Sequence, residues 1–275
     1  MPFFIRKRSG KKEEFNIKKL RLSLDKAGAD SQLINQIIEK IKKQKPCSTK
    51  AIHKLITQML TKQSPAIAAR YNLKRALMEL GPAGYPFEQF VAHVFAAQGY
   101  KTMTNQIISG KCVDHEIDIT ATKANKHFMI ECKFHNRFGL KTNVKVILSI
   151  QARFEDVRTA WEQNPEHKYE FHRAWVVTNT RFTSEAIKYA ECMGIKLLGW
   201  KHPENQGIGK VIDTVGLHPI TALTSLTHQQ KRAFIKEGFV LCRDASKHIA
   251  FLKSLGFSAR QIKKLIKEAE TTCFL

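Results

Sequence analysis

Three charged side chains near the middle of the chain have the types and spacing of a hydrolytic metal centre. Asp118 lies in the run HEIDITAT, and Glu131 and Lys133 lie in the next run, KHFMIECKF. Side chains at positions i and i+2 of a β-strand point to the same face, so Glu131 and Lys133 project together. A hairpin between the two runs can bring Asp118 beside them. Charges on so apolar a strand are unexpected unless they are paired or bind a metal.

Two carboxylates together with a backbone carbonyl suit a hard cation such as Mg²⁺. A lysine beside them can orient or deprotonate an attacking water, and the cation can stabilise charge on phosphodiester oxygens. Alternatively, Glu131 and Lys133 form an ion pair on an exposed face, and Asp118 merely ends its strand. A Glu-x-Lys triplet alone is common by chance, so the elements around it matter.

Those elements alternate in a regular order. An amphipathic helix, PFEQFVAHVFAAQGY, carries Glu88 and follows the Gly- and Pro-rich segment 81–86, which we interpret as a linker. Three strand-like runs follow, then the helical run VKVILSIQARFEDVRTAW, the buried strand RAWVVTNT, the helix FTSEAIKYAECMG and the strand IKLLGW. The order α-β-β-β-α-β-α-β predicts a mixed sheet flanked by helices.

The two ends of the chain are mostly helical. Apolar residues recur at helical spacing between Leu20 and Leu80, and an alternating run ahead of them predicts a short hairpin that turns at Ser9-Gly10. After Trp200 comes a loop-like segment, KHPENQGIGK, which lacks the spacing of a P-loop, and then more helix. We predict domains at residues 1–82, 83–205 and 206–275.

The composition indicates a polyanionic partner. With 46 Lys and Arg against 24 Asp and Glu, the formal net charge is +22, and DNA is the simplest partner. A generally basic proteome or solvated helix faces would explain the same excess. No apolar run is long enough for a membrane span and no signal peptide is evident, which predicts a cytoplasmic protein without a membrane partner. The six cysteines form no CxxC pair, which argues against a zinc ribbon or a disulfide framework.

Residues 86–200 resemble the Mrr-like branch of the PD-(D/E)xK restriction endonuclease superfamily. Glu88 matches its first-helix acid, Asp118 in HEID its metal-binding Asp, and IECKFH its ExK strand. The resemblance implies hydrolysis of DNA phosphodiester bonds with Mg²⁺, with Asp118 and Glu131 as ligands and Lys133 as the water-activating group. Ile117 stands where the superfamily's name has Pro, a residue that this branch commonly lacks.

Several neighbours of the cluster have open roles. Glu88 either reaches the metal through water or only caps and solvates its helix. His115 and His135 either contact a phosphate or take a proton, or they are polar boundary residues. Gln151, Arg153 and Asp156 lie in SIQARFEDV, a pattern similar to some Mrr-like proteins; Gln151 or Arg153 either faces the DNA backbone or lies on the helix surface.

The N-terminal region resembles the ATP-cone, the nucleotide-sensing module of ribonucleotide reductases and their repressor. The resemblance implies that ATP or dATP binds as an allosteric ligand and is not hydrolysed. Cations would contact the triphosphate and polar side chains would hydrogen-bond the nucleotide. The matching residues are Lys7, Arg8, Glu13, Asn16, Lys19, Thr49 and His53. Ser9 replaces the family's usual Asp. Alternatively, the basic residues bind DNA phosphates directly or form a solvated face.

The C-terminal run TALTSLTHQQKRAFIKEGFVLCRDASK is similar to a helix-hairpin-helix, which contacts DNA phosphates through backbone N–H groups. Its EGF turn lacks that family's GxG, so a plain helical cap or dimer surface is an equal alternative.

The sequence thus predicts an α/β protein, with a small helical ATP-cone, a central PD-(D/E)xK nuclease fold and a C-terminal helical extension. We expect a Mg²⁺-dependent DNA endonuclease regulated by ATP or dATP. The rival prediction is a nucleotide-responsive DNA-binding regulator without cleavage activity. The cone-containing repressor carries a four-cysteine zinc ribbon that this sequence lacks, which weakens the rival. The oligomeric state stays open, a homo-oligomer included.

Overall fold

A computed structural model describes residues 3–7, 10–167 and 170–273. Their contacts divide them into two compact units. One unit contains the described residues of 1–76 and 218–275, so it joins the two ends of the chain, and the other contains residues 77–217. The predicted domain limits at residues 82 and 205 stay a prediction, because compactness alone does not define which segments fold independently.

The first unit begins with the predicted hairpin. Strands β1 (Phe4–Arg6) and β2 (Lys12–Glu14) pair antiparallel, which confirms the hairpin, while Ser9 of its turn lies outside the described residues. The helices that follow are α1 (Ile17–Lys26), α2 (Ser31–Gln44), α3 (Thr49–Gln63), α4 (Pro65–Tyr71) and α5 (Leu73–Met78).

Polar side chains fix where the N-terminal helices begin. Asn16, Asp30, Ser48 and Ser64 are N-caps, and each accepts a hydrogen bond from a backbone N–H in the first turn. The apolar faces of these helices then meet in one core. Its fully buried members include Leu24, Ile37, Ile41, Ile56 and Leu60.

The C-terminal part of the same unit is helical, as predicted. It contains a short 3₁₀ helix (Ile220–Ala222), α10 (His228–Lys236), α11 (Asp244–Lys247), α12 (Ile249–Ser254) and α13 (Ala259–Cys273). These elements share a core with Ala69 of α4 and Ala76 of α5. The Thr221 hydroxyl also donates to the Ala76 carbonyl at 2.7 Å. The C-terminal helices, α4 and α5 are therefore packed into one hydrophobic cluster.

The second unit confirms the predicted order of elements. It contains α6 (Tyr85–Ala96), β3 (Lys101–Ser109), β4 (Asp114–Lys123), β5 (Lys126–Lys133), β6 (Lys141–Thr142), α7 (Val144–Gln163), β7 (Phe171–Thr178), β8 (Arg181–Phe182), α8 (Ser184–Met193), β9 (Lys196–Leu198) and α9 (Ile208–Val215). Helix α9 begins inside the segment that we expected to be a loop. The short strands β6 and β8 were not anticipated.

The main sheet of this unit is mixed. Its strand order is β3-β4-β5-β7-β9; the pairs β3–β4 and β4–β5 are antiparallel, and the pairs β5–β7 and β7–β9 are parallel. Strands β4, β5 and β7 occupy the interior of the sheet, and β3 and β9 form its edges. The core contains Ile117 and Met129 of the sheet with Ile150 and Val157 of α7. This packing fixes α7 against the sheet. No helix in the described ranges has the length and apolar character needed to cross a bilayer.

The shared core of the first unit gives a stability test. Phe234 of α10 is completely buried in it, whereas Phe4 of β1 is 67% exposed. We expect Phe234→Ala to lower the free energy of unfolding by about 3–5 kcal/mol, because the deletion leaves a cavity. Phe4→Ala, the matched control, should change it by less than about 0.5 kcal/mol. Urea denaturation followed by far-UV circular dichroism measures both, and equal effects would contradict the packing described.

Candidate active site

The structure brings Asp118, Glu131 and Lys133 together on strands β4 and β5. The registered pair nearest to them is Ile119 with Ile130. One step further, Asp118 Oδ2 accepts a hydrogen bond from the Cys132 N–H at 2.7 Å. Lys133 Nζ donates to Glu131 Oε1 at 2.9 Å. The i, i+2 spacing of the ExK triplet therefore places both side chains on one face, as the sequence indicated.

Glu131 is buried, with only 4% of its surface exposed. An ion pair on an exposed face, the alternative considered from the sequence, does not describe it. Its second oxygen, Oε2, accepts a hydrogen bond from Arg153 Nη1 of α7 at 2.8 Å. The other terminal nitrogen of Arg153 donates to the Glu116 carbonyl of β4. Arg153 thus joins α7 to the two strands that carry the cluster.

Sequence reasoning named Arg153 but placed it against DNA or on the helix surface. Its contact with Glu131 depends on how α7 packs on the sheet, which no local pattern encodes. Asn105 is a second residue that the sequence did not single out. The hydrogen-bonded pairing of β3 with β4 joins Thr104 to Ile119 and Gln106 to Ile117. It skips Asn105, whose φ is 52°. The omitted position on β4 is Asp118, so the ladder is interrupted beside this carboxylate.

The carboxylates of the cluster destabilise one another. Burial, followed by the charge of Glu131, raises the pKa of Asp118 to about 6. Burial, followed by the charges of Asp118 and Glu131, raises the pKa of Glu88 to about 7. Glu88 lies in the first turn of α6, and a Cβ at Gly84 would approach its Oε1 to 2.9 Å. Three carboxyl groups therefore act on one another electrostatically, and a cation among them would relieve the repulsion.

The donor set fits a hard divalent cation with few protein ligands. Mg²⁺ is commonly held by one or two carboxylates, with waters and substrate phosphates completing its shell. Asp118 and Glu131 supply two carboxylates. Across the described ranges, no three His, Cys, Asp or Glu side chains are grouped closely enough to hold a metal by themselves. The arrangement therefore suits Mg²⁺ better than a cation that requires an all-protein cage.

The remaining candidates near the cluster have structural partners. His115 Nε2 lies 2.7 Å from Asp156 Oδ2, and Asp156 also accepts from the Cys112 N–H at 2.9 Å. The hydrogen bond from His115 is the main reason why the pKa of Asp156 falls to about 2. Asp156 thereby clamps the β3–β4 connection to α7. Gln151 is 7% exposed and donates to Glu155, so it does not lie on the helix surface.

The predicted nucleotide-binding residues lie along one part of the N-terminal hairpin and two helix starts. Lys7 pairs with Glu13 across the hairpin, and this contact is the main cause of the lowered pKa of Glu13; the charges of Lys19 and Lys11 act in the same direction. The Arg6 N–H donates to the Cys47 carbonyl at 2.9 Å, which places β1 beside the start of α3. Arg8 lies outside the described residues.

Asn16, Lys19, Thr49 and His53 occupy the beginnings of the two helices. Asn16 Oδ1 caps α1 by accepting from the Lys19 N–H at 2.8 Å, and Lys19 is exposed. Thr49 is the first residue of α3, and His53 follows one turn later, where its ring lies 5.4 Å from that of Tyr71.

Three family models match the chain in succession. The ATP cone domain matches residues 3–79, a restriction endonuclease domain matches 82–202, and the AF1548-like C-terminal domain matches 218–273. An uncharacterised protein from Archaeoglobus fulgidus is 39% identical over 181 residues, which are 66% of this chain and 98% of the relative. The chain belongs to the AF1548-like family.

One solved structure agrees with this assignment. The crystal structure of AF1548, a protein of unknown function, is similar with a TM-score of 0.56 and 37% identity, and it covers 70% of this chain and 98% of that one. The MspJI restriction endonuclease matches with a TM-score of 0.37 and 10% identity over 62% of this chain and 35% of that one, a level that does not bear on function. This AF1548-like chain thus has an N-terminal ATP-cone and a restriction endonuclease-like middle domain.

The raised pKa of Asp118 gives a pH prediction for this AF1548-like chain without metal. Below about pH 4 the carboxyl is protonated in both the folded and the unfolded state. Between that pH and its folded pKa of about 6 the unfolded state loses the proton while the folded state keeps it, so stability falls as pH rises. Above about pH 6 both states are ionised, and the folded state carries the full cost of the buried charge. We expect Asp118→Asn to be more stable than the wild type by about 1 kcal/mol near pH 8, after allowance for solvent screening, and equal to it near pH 4.

Urea unfolding in EDTA, followed by tryptophan fluorescence, measures this difference, because all three tryptophans lie in the unit of residues 77–217. Asp114→Asn, at the exposed start of β4, is the control and should change stability by less than about 0.5 kcal/mol. An Asp118→Asn protein that is less stable than the wild type near pH 8 would refute the repulsion among the carboxylates.

Proposed function

We propose that this protein is a Mg²⁺-dependent DNA endonuclease whose activity is regulated by ATP or dATP bound to the cone. The observation that carries the nuclease proposal is the buried Glu131, which is bonded to Lys133 and lies beside Asp118 in a restriction endonuclease-like domain. A buried carboxylate at this position is costly for a purely structural role. A cytoplasmic location accords with this proposal.

Each residue of the cluster has a definable task in phosphodiester hydrolysis. Asp118 and Glu131 would hold Mg²⁺, which supplies Lewis acidity toward a phosphate oxygen and a bound water. Lys133 is half-buried, and its ammonium can donate a hydrogen bond to the water or to the phosphate. Arg153 keeps the Glu131 carboxylate oriented from the opposite side, so the ligand does not depend on Lys133 alone. Glu88, with a pKa of about 7, can exchange a proton near neutral pH.

DNA is the proposed substrate because of charge and domain type. The net charge of +22 favours binding of a polyanion. Among polyanions, the restriction endonuclease-like domain favours DNA as the ligand. A DNA-binding regulator without cleavage would share both features. The difference between them lies in the cluster, since phosphate binding alone does not require two buried or half-buried carboxylates.

Regulation by a nucleotide is supported by the construction of the first unit. The AF1548-like C-terminal helices share a core with Ala69 and Ala76 of the cone. The chain passes between the two units at residues 76–77 and again at 217–218. Both crossings adjoin residues of this shared core, Ala76 and Ile220, so a nucleotide-induced shift in α4 or α5 would occur beside both connections. The cone has no Walker motif, and we propose that it binds ATP or dATP without hydrolysing it.

The first test replaces the lysine of the cluster. In Mg²⁺ we expect Lys133→Ala to cleave plasmid DNA about 10²–10⁴-fold more slowly, the range typical of a lost proton-transfer group. Lys126→Ala is the matched control, because Lys126 is exposed and begins the same strand about 23 Å away. Gel assays on methylated and unmethylated plasmids measure the rates. If the wild type binds DNA but cleaves none with any metal and nucleotide tested, the endonuclease proposal is wrong and the DNA-binding regulator is favoured instead.

The second test addresses the nucleotide. Cleavage is measured with and without ATP or dATP, and the ratio of the two rates defines the nucleotide effect. We expect Lys7→Ala to weaken nucleotide binding about 10-fold, because a charge-assisted contact to the triphosphate is lost. The rate without nucleotide should stay unchanged. Lys40→Ala, an exposed lysine of α2, should leave both quantities at the wild-type value. If Lys7→Ala binds the nucleotide as tightly as the wild type and shows the same ratio of rates, Lys7 is not part of the nucleotide-binding site.

A further inference from the structure

The loop that connects β5 to β6, residues 134–140, begins directly after Lys133. Its base is fixed by a two-way bond: the His135 N–H donates to Asn179 Oδ1 at 2.9 Å, and Asn179 Nδ2 donates to the His135 carbonyl at 2.8 Å. Asn179 is completely buried. A buried amide that uses both its donor and its acceptor on one residue holds that backbone in a single position. The start of the 134–140 loop is therefore rigid.

The other end of the loop is fixed as well. The Thr142 hydroxyl, which is 1% exposed, lies 3.1 Å from His135 Nε2. Lys141 and Thr142 pair with Arg181 and Phe182 in the small parallel sheet. His135 thus ties the two ends to each other, and the residues between them project from a closed base.

The tip of the loop combines apolar and cationic side chains. Phe138 is 39% exposed and Leu140 is 46% exposed, while Gly139 between them has a φ of 93° and open space around it. Arg137 precedes them, and Lys141 follows with Arg181 as its strand partner. Residues 134–145 contain no acidic side chain. Exposed apolar groups whose neighbours in the sequence include cations and no acids suit a partner that is negatively charged outside and apolar inside.

We propose that the 134–140 loop is a DNA wedge, in which Phe138 inserts between base pairs while Arg137 and Lys141 contact the flanking phosphates. Proteins that open a base step use apolar side chains in this way, and the unstacking is offset by added backbone contacts. A second copy of the chain is disfavoured as the occupant, because it would present the same cations. The inference rests on the proposed nuclease function and adds that the substrate is duplex DNA opened at one step.

The length of chain between Lys133 and Phe138 limits which base step the wedge can open. Phe138 follows Lys133 by five residues, so their Cα atoms are at most about 18 Å apart. Base pairs are stacked about 3.4 Å apart. The backbone separation thus spans about five base pairs, and the opened step lies within that distance of the phosphate beside Lys133, extended by the reach of the two side chains.

The test separates the wedge from cleavage. Full-length Lys133→Ala protein, which still presents the loop, is mixed with short duplexes that each carry one 2-aminopurine at a different position. We expect a rise in fluorescence at one or two positions, loss of the rise in Lys133→Ala/Phe138→Ala, and its retention in Lys133→Ala/Phe138→Trp. Lys133→Ala/Met193→Ala is the control, since Met193 of α8 is 43% exposed. Binding without any rise, or a rise that survives Phe138→Ala, would overturn the proposal.

Cleavage supplies an independent readout. With Lys133 intact, we expect Phe138→Ala to cut matched duplex about 10-fold more slowly, in line with the loss of one stacked aromatic, and to regain the rate on a duplex with a mismatch at the mapped step. Arg137→Ala should lower the slope of log K against log salt by about 1. Equal rates for Phe138→Ala and the wild type on matched duplex would refute the wedge. Failure of the wild type to cut would refute the nuclease instead.

Discussion

The burial of one carboxylate, Glu131, is the constraint on which the middle domain depends. A charge that is 4% exposed requires compensating partners, and Lys133 and Arg153 supply them from two different elements. Lys133 is local to the strand, but Arg153 reaches the site only if α7 packs across the sheet. The packing of α7 on the sheet therefore also decides the geometry of the candidate active site. Loss of either partner would leave the Glu131 charge incompletely compensated.

The clamp at Asp156 extends the same principle to the neighbouring hairpin. Arg153 and Asp156 are three residues apart on α7, which places them on the same side of a helix. One holds Glu131 and the carbonyl of Glu116, and the other holds His115 and the Cys112 N–H. Helix α7 thus aligns β4, which carries Asp118, with β5, which carries Glu131. The helix is therefore a scaffold for the candidate active site.

The AF1548-like architecture also explains why the two ends of the chain fold together. The Archaeoglobus fulgidus relative is covered almost completely by 66% of this chain, so about a third of this chain has no counterpart in it. The ATP-cone, residues 3–79, is about that length. In this protein the family's C-terminal helices share a core with Ala69 and Ala76 of the cone. The ATP-cone is thereby packed against helices that belong to the AF1548-like C-terminal domain.

The sequence by itself determined the local features of this protein. The spacing of Glu131 and Lys133, the order of strands and helices from Glu88 onward, and the cone-like hairpin all follow from periodicities of two and 3.6 residues. Interactions between distant elements were decided only by the tertiary structure. Arg153 on Glu131, Asn179 beneath His135 and the union of the chain ends depend on packing across many residues, and no short window of sequence contains that information.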